Sequence, residues 1–103
     1  MRTTHELVCK LCYSAEAWLV GSAADSEVSN PRDWDVLVPF SYWHVAASRI
    51  PCDAVPNAFG GWKCMSEGQE VDVWPGDLSL LLTYGDVTHA FHKKTGKRWS
   101  CVS

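Results

Sequence analysis

Residues 33–38, Asp-Trp-Asp-Val-Leu-Val, constrain this chain more than any other stretch. Neighbouring side chains on a strand point to opposite faces, so Trp34, Val36 and Val38 share one face while Asp33, Asp35 and Leu37 share the other. The first face enters the layer behind the sheet. The second presents two carboxylates side by side, which repel each other unless a cation lies between them. Val71-Asp72-Val73 repeats the pattern, setting Asp72 between two β-branched residues whose side chains face the core. If the two strands are adjacent, Asp33, Asp35 and Asp72 converge on one surface.

The remaining sequence supplies elements to build around such a sheet. Residues 4 to about 14 space Leu7, Val8, Leu11 and Cys12 at the helical period, with Thr3 or Thr4 as N-cap. Ala17-Trp18-Leu19-Val20 reads as a buried strand that Gly21-Ser22 turns sharply into a short helix or loop. Ser26 to Arg32 is a polar loop, Phe40 to Ile50 a helix closed by Pro51, and Pro56-Asn57 and Gly60-Gly61 punctuate the next connection. Trp62–Ser66 and Glu70–Trp74 are predicted to form a hairpin through Glu67-Gly68-Gln69. Gly76-Asp77 can cap a short helix over Leu78–Leu82, which Gly85 ends. Val87–Phe91 and Lys97–Val102 form a second predicted hairpin around Lys93-Lys94-Thr95-Gly96. With 103 residues and 11.5 kDa, the chain has the size of a single domain over 1–103. The expected class is α+β with an α/β-like character, a small mixed β-sheet flanked by helices.

Charge and composition narrow the partners. Twelve Asp and Glu against nine Lys and Arg give a net charge of −3, which opposes bulk electrostatic capture of nucleic acid and suits a cation binder. No stretch approaches the length of a membrane span, and Met1 to Glu6 carries neither an apolar run nor a cleavage site, so a cytoplasmic protein without membrane contact is expected. The five cysteines are irregularly spaced. Cys9-x2-Cys12 has the spacing of a zinc knuckle but lacks a second close pair and falls within an amphipathic helix, so buried thiols are the expectation. Lys93, Lys94, Lys97 and Arg98 read as a solvated charge run on a hairpin turn, with contact to RNA or nucleotide phosphates as the alternative. His89 and His92, three apart on a strand, face opposite ways and do not suit a shared metal. Most of the six tryptophans read as core, although Trp74 shares the face of Asp72 and could stack on a nucleobase.

Ten residues ahead of Asp33 lies Val20-Gly21-Ser22. A glycine at a strand-to-helix turn lets a phosphate approach the backbone, and the Ser22 hydroxyl adds a donor. Magnesium takes hard oxygen ligands and is commonly held by one or two carboxylates together with substrate phosphates. Phosphate cradle and carboxylates together point to a metal nucleotide.

Leu19-Val20-Gly21-Ser22, then Asp33-Trp34-Asp35-Val36-Leu37-Val38, then Val71-Asp72-Val73 resemble the ordered motifs of the nucleotidyltransferase superfamily related to DNA polymerase β, especially its minimal members. The resemblance covers roughly residues 5 to 80. The tail from Trp74-Pro75 through His92-Lys93-Lys94-Thr95-Gly96 is loosely similar to small nucleotidyltransferase-like proteins of tailed phages. The resemblance implies a nucleotidyltransferase fold, with transfer of a nucleoside monophosphate from a nucleoside triphosphate to a hydroxyl and release of pyrophosphate. It implies that Gly21 and Ser22 bind the triphosphate, that Asp33 and Asp35 hold two magnesium or manganese ions, and that Asp72 completes the metal site and helps deprotonate the acceptor. Arg32 and Trp74 join the expected nucleotide contacts, Arg32 offsetting the negative charge that Ala23-Ala24-Asp25 adds beside the phosphates. The acceptor is a protein side chain, an RNA end or a small molecule. At this length there is no room for the helical domain of larger relatives, so a partner or a second copy of the chain would supply acceptor specificity. The alternative function is a catalytically inactive nucleotide-binding or protein-interaction module on the same fold.

Overall fold

The computed structural model describes residues 6–24, 33–58, 60–76, 89–93 and 95–100. Helix α1, Glu6–Ser14, leads into strand β1, Trp18–Val20, and a 3-10 turn, Gly21–Ala24. Strand β2, Asp33–Val38, is followed by a 3-10 turn, Phe40–Tyr42, helix α2, Trp43–Ala47, and the two-residue strand β3, Val55–Pro56. Strands β4, Trp62–Ser66, β5, Gln69–Pro75, β6, His89–Phe91, and β7, Arg98–Ser100, complete the described elements. Together they make a small mixed α+β domain whose sheet runs β3-β4-β5-β2-β1-β6-β7. The pair β2 and β5 is parallel; every other pair is antiparallel.

Alternation along the strands divides the sheet into two unlike faces. Leu19, Trp34, Val36, Val38, Cys64, Val71 and Val73 are buried on one face, against Leu7, Val8, Leu11 and Cys12 of α1 and Ala46 of α2. Complete burial of side chains such as Leu11 and Val36 contributes roughly 1.5–3 kcal/mol each, which is what holds the helices to this face. The opposite face carries a smaller cluster of Val20, Leu37, Trp74 and Ala90, with Trp18 packed against it. The acidic residues lie on this second face.

The central hairpin follows its sequence closely. Glu67 and Gly68 both take positive φ, 53° and 77°, as a two-residue turn of the type that matches strand twist requires. Gln69 therefore opens β5 by pairing with Ser66 instead of belonging to the turn. The Glu67 carboxylate accepts the Glu6 backbone N–H at 2.9 Å, so a residue 61 positions away satisfies an amide in the first turn of α1. Trp34 Nε1 donates to Gln69 Oε1 at 2.6 Å, fastening β2 to the start of β5.

The helix expected over Phe40–Ile50 is shorter than predicted. Trp43, Ala46 and Ile50 keep helical spacing against the core, but Phe40 and Tyr42 are exposed in a 3-10 turn, and beyond Ala47 the backbone bonds tighten, Arg49 N–H donating to the Ala46 carbonyl and Ile50 N–H to that of Ala47, so the α-helix itself is confined to five residues. Strand β3 carries no sequence signal strong enough to be read in advance, because Pro56 is tolerated only at the edge it occupies. The second hairpin forms as predicted over its described part, β6 pairing antiparallel with β7. The Thr3 or Thr4 cap, the Ser26–Arg32 loop and the Leu78–Leu82 helix lie outside the described residues. Among the described residues no helix is long and apolar enough to cross a membrane.

Candidate active site

The parallel register of β2 and β5 assembles the acidic face. Asp35 pairs with Asp72 and Asp33 pairs with Glu70, so acid-x-acid segments of two strands lie alongside each other in step. Directly paired residues of adjacent strands project from the same face, and neighbouring strands run about 4.8 Å apart. Asp33 is exposed at the start of β2, Asp35 is half-buried, and Asp72 is only 8% exposed. Glu70 is the carboxylate that sequence reading missed. The signal was present, since Glu70-Val71-Asp72 repeats the spacing of Asp33-Trp34-Asp35.

Gly21 borders this face directly after β1, where Val20 pairs with Asp35. It has φ of 72°, and a Cβ added there would stand 3.2 Å from Asp35 Oδ2. The position thus needs glycine for its backbone and for the carboxylate that lies against it. Ser22 follows in the same 3-10 turn. Arg32 lies outside the described residues.

Asp72 is held by a loop residue that sequence analysis marked only as punctuation. The Asn57 amide nitrogen lies 3.2 Å from Asp72 Oδ1, 3.0 Å from the Trp62 carbonyl and 3.4 Å from the Val73 carbonyl. Asn57 Oδ1 accepts the Gly61 N–H at 2.9 Å, and the Asn57 N–H donates to the Gly61 carbonyl at 3.0 Å. No pattern in the sequence ties position 57 to position 72; β3 and β4 bring them together.

Burial raises the Asp72 pKa, with Glu70 and Asp33 adding to the rise, while the Asn57 hydrogen bond and the Lys63 charge oppose it. Lys63, on β4, is the register partner of Asp72 and forms an ion pair with Glu70 Oε1 at 3.4 Å. Its own pKa is raised, first by Asp72 and then by Glu70 and Asp33. Among the described residues, the face is therefore an acidic surface with one ammonium beside it.

Trp74 shares the face of Asp72 but is only 3% exposed, packed with Val20, Leu37 and Ala90. Its ring is committed to protein contacts in this packing, so the stacking platform expected there is not presented. His92 departs from the strand placement given to it. It lies just beyond β6 and is 6% exposed, with Nδ1 accepting the Thr95 N–H at 3.2 Å and lying 2.9 Å from Thr95 Oγ1. Its Nε2 stands 3.4 Å from Glu16 Oε2, and its ring meets Trp18 edge-on at 4.9 Å between centroids. Because a backbone N–H can only donate, Nδ1 is the unprotonated nitrogen and Nε2 carries the hydrogen toward Glu16. His92 thus fastens the β6–β7 turn to the residues before β1.

Of the described cysteines, Cys12 and Cys64 are buried, Cys9 is half-buried and Cys52 is exposed, all as free thiols. The expectation of buried thiols for the Cys9-x2-Cys12 pair therefore holds for Cys12 and only in part for Cys9. Burial pushes the Cys12 thiol up to about 12. No group of three or more His, Cys, Asp or Glu side chains is assembled as a metal cluster among the described residues. Asp35 and Asp72, register partners with hard carboxylate oxygens, are the residues that could hold a cation, one shared with a substrate's phosphates instead of enclosed by protein alone.

Fold and face together define a small mixed α+β domain with carboxylates gathered across a parallel strand pair. No protein-family model, curated protein or solved structure matches the chain.

Proposed function

We propose that the chain has the nucleotidyltransferase fold and acts as a metal-dependent nucleotidyltransferase, moving a nucleoside monophosphate from a nucleoside triphosphate to a hydroxyl acceptor. The observation that carries this reading is the direct pairing of Asp35 with Asp72 on the face bordered by Gly21. Asp33, Asp35 and Asp72 would hold magnesium or manganese, two ions in the full arrangement. Bound there, the metal supplies neutralisation of the triphosphate charge and of the charge that develops during in-line displacement.

The chain's own residues account for the rest. Gly21, through its backbone, and Ser22 bind the triphosphate, the glycine permitting close approach. Asp72, the register partner of Asp35 on the same face, is the carboxylate suited to take the proton of the acceptor hydroxyl. A bond then forms between the acceptor oxygen and the α-phosphorus as the bond to pyrophosphate breaks. The acceptor is a protein side chain, an RNA end or a small molecule, and a second copy of the chain can contribute to its binding.

Incubation with labelled nucleoside triphosphates, magnesium or manganese and each acceptor class tests the reading. Transfer that falls by at least ~100-fold in both Asp35→Asn and Asp72→Asn supports it. Transfer that survives both substitutions overturns it. A second reading, a non-catalytic nucleotide-binding or protein-interaction module, is favoured by the engagement of Asp72 with Asn57 and by Lys63 across from it. Nucleotide binding with no turnover on any acceptor would select that reading.

A further inference from the structure

Lys63 is the one basic residue on β1, β2, β4 and β5, the strands that surround the acidic face. Its register places it across from Asp72, one strand further from Asp35, and its ammonium lies 3.4 Å from Glu70. The side chain is 44% exposed, so it is free to swing away on its flexible stem without breaking core packing. The other described Lys and Arg residues, Lys10, Arg49, Lys93, Lys97 and Arg98, stand on α1, after α2, on the β6–β7 turn and on β7.

We propose that Lys63 is the resident counter-ion of the acidic face, holding its carboxylates together in the cation-free protein and competing with a divalent cation for them. The inference rests on the cation-binding reading of Asp35 and Asp72 and adds to it a residue that sets affinity. The upward shift of the Lys63 pKa, caused first by Asp72, accords with this placement. An ammonium neutralises one charge and leaves the moment a divalent ion neutralises two. Lys63 therefore weakens cation affinity while protecting the empty face from its own repulsion.

Titration of the full chain with Mn2+ without nucleotide, read by electron paramagnetic resonance of the free ion, tests this directly. Lys63→Gln is expected to bind Mn2+ about tenfold more tightly than the unsubstituted protein, the size of effect expected from removing one charge near a divalent ion in a partly solvated site. Lys63→Arg keeps the charge and is expected to keep the weaker affinity. The difference should shrink as salt rises. Thermal melts without metal should show Lys63→Gln less stable than the unsubstituted chain, with Mn2+ closing the gap. If both proteins bind Mn2+ with equal affinity, or Lys63→Gln binds more weakly, the role of Lys63 is overturned while the cation site stands. If neither binds Mn2+ without nucleotide, this proposal is overturned; if binding also fails with a non-hydrolysable nucleoside triphosphate present, the cation reading of the face falls with it.

Discussion

Replacing Gly61 by alanine probes the packing that sets Asp72 in place. A Cβ at this position would lie 1.8 Å from the Val73 carbonyl oxygen, 2.7 Å from Trp74 Cα and 2.8 Å from the Val73 carbonyl carbon. All three atoms are backbone of β5, so no side chain can rotate away, and the connection before β4 must move more than 1 Å off the sheet. Overpacking of this kind costs roughly 1–3 kcal/mol. The same movement strains two hydrogen bonds between Asn57 and Gly61, each contributing roughly 0.5–1.5 kcal/mol. The expected loss is about 3–5 kcal/mol, a large part of the ~5–15 kcal/mol that holds an ordinary domain folded. Gly60→Ala is the matched control. Its φ of 84° strains any other residue, but a Cβ there meets nothing within 4 Å, so its cost stays at about 1–2 kcal/mol. Urea unfolding followed by tryptophan fluorescence would measure both variants through their midpoints and slopes. A Gly61→Ala variant within about 0.5 kcal/mol of Gly60→Ala refutes the close approach of residue 61 to β5. Because Asn57 also donates to Asp72, the proposed function predicts that any surviving Gly61→Ala protein transfers nucleotide poorly.

Two further outcomes follow from burial. Asp72 has its pKa raised above the ordinary 3.8, so its contribution to stability is fully present below that pH and is lost as pH rises through the folded-state value. Asp72→Asn should accordingly be more stable than the unsubstituted chain at pH 7, the gain disappearing toward pH 3, and urea melts at the two pH values would reverse this reasoning if the gain were absent or grew in acid. Cys12, buried with its thiol pushed up to about 12, should resist iodoacetamide at pH 8 in the folded protein while exposed Cys52 is alkylated. Mass spectrometry of the alkylated peptides distinguishes the two, and equal labelling would contradict the burial of α1.

Much of the sheet was legible because its signals are local. The alternation in Asp33–Val38 specified both the strand and its two faces, and the burial of Trp34, Val36 and Val38 on one side follows it. Glu67-Gly68 marked the turn of β4 and β5 through the backbone conformation it needs. The predicted length of α2 failed because the first and last turns of Phe40–Ile50 tighten to i→i−3 bonding, which composition does not distinguish from an α-helix, and β3 went unread because two residues carry no period. At the candidate site, Asp35 and Asp72 were readable as acids on strands, and Glu70 could have been found by the same spacing. Asn57 and Lys63 could not. An asparagine after a proline and a lysine on a strand have many ordinary uses, and only their neighbours give these two their place beside Asp72.

The sequence by itself determined which residues alternate, where glycine must allow the backbone to turn, and that carboxylates would stand on strand faces turned from the core. Those properties depend on nearest neighbours along the chain. Tertiary structure alone decided that β2 and β5 run parallel and in step, setting Asp35 against Asp72 and Asp33 against Glu70. It also decided that Trp74 is buried, that Asn57 reaches Asp72, and that the two-residue turn of the predicted hairpin sets Lys63 opposite Asp72. Register and strand order come from burying the apolar face against α1 and α2 as a whole, a sum over many distant contacts that no short stretch of residues contains.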